Sequence, residues 1–86
     1  MSIDNLRNEI NEINDSLTKL FVKRMEIASL IAEEKSKNGL PIYDEKRENE
    51  IISNESAKAP EDLKEYTGQF YRELFKITRL YEGSKR

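Results

Sequence analysis

The chain has 86 residues with 15 Lys and Arg against 17 Asp and Glu, a net charge of -2, and 36% hydrophobic against 37% charged residues. It contains no Cys and no His, which excludes disulfides, thiol nucleophiles, Ser-His and Cys-His dyads, and zinc sites built on soft or imidazole ligands. An acidic pI near 5.3 argues against a nucleic-acid module, and no apolar run nears the ~20 residues of a membrane span or forms a signal peptide, so one cytoplasmic domain over residues 1–86 is expected, with no metal or cofactor.

The first predicted element is the most informative. Leu6, Ile10, Ile13, Leu17, Leu20, Ile27 and Ile31 follow steps of four and three, the spacing of one helix face. Phe21, Met25, Ala28 and Ala32 widen that stripe. Ser2 or Asp4 can cap its start, and Asn38-Gly39 followed by Pro41 supplies its stop. Helix 1 is therefore expected over about residues 4–37. Gly39 to Tyr43 reads as a connector, Asp44 as an N-cap, and residues 45–57 as helix 2 with Ile51 and Ile52 as its apolar contacts. Ala59-Pro60-Glu61-Asp62 is a second start signal. Helix 3 is expected over about 61–82, with Leu63, Tyr66, Phe70, Leu74, Ile77 and Tyr81 as its stripe and a parallel row of Thr67, Tyr71, Phe75, Thr78 and Glu82 beside it. Gly83 is read as its end, and Lys85-Arg86 as a frayed basic tail.

The fold class is thus all-α, with three helices per chain. At ~1.5 Å per residue, a helix of roughly 34 residues is about 50 Å long, against a diameter of roughly 30 Å for a compact chain of this size. Its apolar stripe outruns what helices 2 and 3 can cover. Two copies with antiparallel long helices would bury the rest, as an intertwined homodimeric bundle. The alternative is a monomeric three-helix bundle with a bent helix 1.

Most Lys and Arg residues read as solvated, but Arg24 occupies a seam position where Leu or Ile would pack. Burying a guanidinium costs several kcal/mol unless something acidic meets it. An internal salt bridge or a register-setting contact would satisfy that need; so would a bound anion. Lys35 lies eleven residues on, which returns it to within ~20° of Arg24 and roughly 16 Å further along the helix. Two cations on one face suit a small dicarboxylic acid. Arg7 lies ~25 Å from Arg24 and about 100° round, beyond reach within one chain but within reach of a partner's site in an antiparallel dimer. Arg47 and Glu48 share a turn with Ile51 and Ile52, so at least one of them is expected to face inward; an exposed, dipole-compensating first turn is the alternative. Thr78 and Glu82 sit in line with Tyr71 and Phe75, as cleft residues or as the edge of the core.

Together these residues resemble the all-helical class of chorismate mutases, the AroQ fold, over nearly the whole chain. The pattern reads Leu6-Arg7-x-x-Ile10, Leu20-x-x-x-Arg24-x-x-x-Ala28, Lys35, and Pro41-Ile42-x-Asp44-x-x-Arg47-Glu48. The resemblance implies that Arg24, with Arg7 donated across a homodimer interface, clamps the two carboxylates of chorismate. Lys35 would hold a carboxylate and the ether oxygen of the breaking C–O bond. Asp44 and Glu48 would take the ring hydroxyl, Arg47 would brace the acidic cluster, and Thr78 would stand near a substrate carboxylate. Glu82 falls where many members carry Gln as a second donor to the ether oxygen. Lys35, Glu82 and Arg24 are the implied catalytic groups.

The implied reaction, the Claisen rearrangement of chorismate to prephenate in aromatic amino-acid biosynthesis on the shikimate pathway, needs no nucleophile, metal or proton shuttle. It needs a held geometry and stabilised charge on the ether oxygen, which suits a chain without Cys or His. Glu82 can donate to that oxygen only when protonated, so activity is expected to fall as pH rises; an end-of-helix Glu82 facing water is the alternative. Two other functions fit less of the pattern. An isochorismate-pyruvate lyase of the same fold does not call for Asp44 and Glu48 as hydroxyl acceptors, and a non-catalytic helical dimerisation module would use Arg24 as an interface salt bridge.

Overall fold

In the computed structural model, which describes residues 1–85, three α-helices follow one another: α1 (Ile3–Lys37), α2 (Glu45–Ala57) and α3 (Lys64–Ser84). No strand occurs among the described residues. Each boundary has a local cause. Ser2 Oγ accepts from the amide of Asn5 at 3.1 Å and opens α1. At its far end Gly39 adopts φ 67°, a left-handed conformation that costs glycine little. This lets the Leu40 amide reach back to the Lys35 carbonyl at 2.8 Å and the Gly39 amide to that of Ser36 at 3.2 Å, the paired bonds of a Schellman stop. Asp44 caps α2 by accepting from the Arg47 amide at 3.0 Å.

Helix 3 differs from expectation at both ends. Pro60 introduces a 3₁₀ turn, Glu61–Leu63, and the α-helix begins only at Lys64. Proline fixes φ and has no amide hydrogen, so it launches a turn as readily as a helix. Gly83 does not end the helix, which continues through Ser84 with Lys85 as its cap residue. Arg86, half of the expected frayed tail, lies outside the described residues.

The packing is uneven along the chain. Helices α2 and α3 lie side by side, and Gly68 stands at their contact: a Cβ there would meet Ser56 Oγ at 3.4 Å and an Ile52 methyl at 3.7 Å, ordinary packing distances. Met25, Ala28 and Ala32 of α1 and Phe75 of α3 are the buried apolar side chains. The α1 part of that core lies entirely in the helix's C-terminal half. Every residue from 1 to 20 is exposed, including Ile13 at 59% and Leu20 at 65%. The molecule measures 54 × 26 × 15 Å with a radius of gyration of 15.9 Å, against about 12 Å for a compact chain of this length. A straight α1 projects as an apolar arm, so the bent-helix bundle does not form. None of the described helices is long and apolar enough to cross a membrane.

Candidate functional site

The short core leaves a half-open cleft of about 380 Å³ beside it. Helix α1 contributes Arg24, Ile27, Ala28, Ile31 and Lys35 as one wall, the face that the three- and four-residue spacing predicts. The connector adds Ile42 and Asp44, α2 adds Arg47, Glu48 and Ile51, and α3 adds Phe75, Thr78, Arg79 and Glu82. The structure therefore brings together Arg24, Lys35, Asp44, Arg47, Glu48, Thr78 and Glu82. Arg7 is not among the lining residues; it lies on the exposed arm.

Arg24 is half-buried and oriented by two neutral groups. Its Nη1 donates to Thr78 Oγ1 at 3.0 Å, and its guanidinium lies 5.5 Å from the centre of the Phe75 ring. Thr78 in turn donates to the Leu74 carbonyl at 2.7 Å, which fixes the direction of its lone pairs. No ion pair joins Arg24 to a carboxylate of the described residues. Lys35 donates to the Ile42 carbonyl at 3.0 Å, a bond that ties the connector to α1 and holds the ammonium at the cleft. Two cations thus face the cavity with their charge uncompensated by direct ion pairing, the arrangement a small dianion would complement.

The acidic side of the cleft is arranged differently from expectation. Glu48 points inward and accepts from Arg79, whose Nη1 contacts both carboxylate oxygens. The Arg79 guanidinium also lies 4.6 Å over the Tyr43 ring. Hydrogen bonding to Glu48 pushes the Arg79 guanidinium above its ordinary value, against the opposing effect of burial, with smaller contributions from the charges of Glu48, Tyr43 and Glu82. Arg47 instead turns along α2 to Glu50 at 3.8 Å, with both side chains at least half exposed. The cation that braces Glu48 is Arg79, a residue the sequence reading passed over. A signal existed: positions 75, 79 and 82 share a helix face at steps of four and three, so Arg79 falls between two predicted cleft residues.

Glu82 is 6% exposed and lines the cleft, so the alternative in which it faces water is removed. Asp44 serves as the cap of α2 and lines the cleft as well. Among the described residues, no group of three or more acidic side chains is placed to hold a metal ion.

Known proteins place this geometry. Over 47 residues the chain is 40% identical to a T-protein of Haemophilus influenzae (strain ATCC 51907 / DSM 11121 / KW20 / Rd), a match that covers 55% of the chain and 12% of that protein. It is 35% identical over 54 residues to a T-protein of Enterobacter agglomerans, covering 63% of the chain and 14% of the relative. The matches thus span about one-eighth of the length of these curated relatives. No solved structure matches at the same level of significance. The profile described as chorismate mutase type II matches residues 6–83, nearly the whole chain and all of the cleft-lining residues. This chain belongs to the chorismate mutase type II family.

Proposed function

We propose that the chain is a chorismate mutase, acting in aromatic amino-acid biosynthesis as an intertwined homodimer in which each cleft is completed by Arg7 of the second copy. The observation that carries the reading is Arg24: a half-buried guanidinium, held by Thr78 and Phe75, facing a cleft and making no ion pair with an acid among the described residues. Neutralising it with a substrate carboxylate would satisfy a charge that the fold otherwise leaves costly. Family membership and the co-location of Lys35, Glu48, Thr78 and Glu82 support the same substrate.

The chemistry follows from what these groups can do. Chorismate rearranges when its enolpyruvyl arm is held over the ring, so a cleft that fixes both carboxylates removes most of the unproductive conformers. As the C–O bond breaks, negative charge grows on the ether oxygen. The Lys35 ammonium, already oriented by the Ile42 carbonyl, stabilises that charge without reorganising. Glu48, and Asp44 at the head of α2, accept from the ring hydroxyl. The inward Glu48 favours the mutase over an isochorismate-pyruvate lyase, because it supplies an acceptor for that hydroxyl.

The test is depletion of chorismate with prephenate as product, set against salicylate and pyruvate from isochorismate. Arg24→Ala is expected to lower kcat/KM by about 100-fold or more, the scale of losing one preorganised charge-stabilising donor, while the oligomeric state stays unchanged. A variant that loses its oligomer with no turnover to lose would point to a dimerisation module.

A further inference from the structure

We propose that Arg79 is a positioning residue that holds the Glu48 carboxylate as a fixed acceptor at the α2 side of the cleft, and so sets a preference for ligands that present a hydroxyl donor there. The inference rests on the reading of the cleft as a chorismate site and deepens it.

Three observations converge on Arg79. Its Nη1 contacts both oxygens of Glu48, across from α3 to α2, and the two side chains are 30% and 20% exposed. A partly buried, charge-assisted pair of this kind is directional. Second, the guanidinium lies over the Tyr43 ring at 4.6 Å, so the connector constrains the arginine from the side opposite its own helix. Third, Arg47, the α2 cation that lines the cleft beside Glu48, is engaged with Glu50 at 3.8 Å along the helix surface, an exposed pair worth little. Glu48 is therefore oriented by α3 rather than by its own helix.

This has a chemical consequence. A carboxylate offers about four lone-pair sites, and one that accepts from a guanidinium is used as an acceptor. Both residues line the cleft, and a single Arg79 nitrogen contacts both Glu48 oxygens and leaves other lone pairs untaken. A ligand hydroxyl can donate to them. A ligand with no donor at that position would leave the acceptor desolvated and unmet, the situation in which polar sites discriminate strongly. Arg79 does this through Glu48, without itself touching the reacting bond.

A double-mutant cycle tests it on the whole chain, with chorismate and an analogue whose ring hydroxyl is replaced by hydrogen. Arg79→Ala is expected to raise KM for chorismate about tenfold with a smaller change in kcat, the pattern of lost uniform binding, and to shrink the preference for chorismate over the analogue. In a Glu48→Gln background the same substitution is expected to change KM less than about twofold, because coupled residues do not add. Arg79→Lys should recover part of the preference. Equal losses in both backgrounds, or a lower Tm with the preference intact, would show a structural bridge between α2 and α3 and overturn the inference alone. A wild-type chain that neither binds nor converts chorismate overturns the reading of the cleft and this inference with it.

Discussion

At position 24 an arginine stands where the seam of α1 calls for an aliphatic side chain, and its surroundings are neutral: a threonine hydroxyl and an aromatic face. These contacts orient a guanidinium without discharging it. At position 82 the fold does the reverse, burying a carboxylate to 6% exposure on the same cleft. The other charged groups lining that cleft are Arg24 and Lys35 from α1, Asp44 from the connector, Arg47 and Glu48 from α2, and Arg79 from α3. If Glu82 donates to the ether oxygen, only its protonated form contributes, and that fraction shrinks as pH rises. On that limb kcat/KM should fall about tenfold per pH unit, as for any acid whose protonated form is required. Glu82→Gln keeps the shape, supplies a donor at every pH, and should flatten the profile while raising activity above neutrality. A wild-type profile that is level from pH 6 to 9 would remove Glu82 from the reaction.

At the level of elements, what the sequence made legible is what local physics decides. Ser2, Asp44 and Gly39 act on their own neighbours, so the ends of α1 and the start of α2 follow from single residues. The start of α3 does not, because Pro60 suits a 3₁₀ turn and an α-helix equally well and packing chooses between them. The apolar period of α1 marks a face but not what covers it. Leu6, Ile10, Ile13, Leu17 and Leu20 remain 40–65% exposed, and each would contribute on the order of 1 kcal/mol if a partner covered it. Leu17→Asp therefore leaves an isolated chain almost untouched but places an unpaired charge in a helix-to-helix seam. By sedimentation, the wild type is expected at twice the 10.1 kDa chain mass and the variant at the single-chain mass, with turnover lost as well. A wild type that sediments as a monomer at tens of micromolar, a concentration at which dimers held by interfaces of this kind persist, would exclude the second copy.

Seen as a whole, the molecule is a cleft at one end of an uncovered helical arm. Periodicity puts Arg24 and Lys35 on one face of α1, whereas Thr78 and Glu82, which spacing leaves at a cleft or at the edge of the core, are joined to them only by the family resemblance; the structure brings all four to one cleft. Neither reading reaches Arg79, although positions 75, 79 and 82 share one face of α3; what that face does not reveal is the contact with Glu48 of α2 and Tyr43 of the connector, which is a tertiary fact. Arg7 is the opposite case: its sequence position is plain, but it lies on the exposed arm away from its own chain's cleft, and the cleft proposed for it is that of a second copy. With twofold symmetry, a dimer holds two clefts, each pairing Arg7 of one chain with Arg24 of the other. Arg7→Ala and Arg24→Ala homodimers are then both inactive. In the mixed dimer, one cleft carries both substitutions and the other carries neither. Unfolding and refolding an equimolar mixture should leave half the dimers mixed, and half of their clefts intact, so about one quarter of wild-type activity returns. Clefts built within single chains give no recovery, because every chain in the mixture then carries a damaged site.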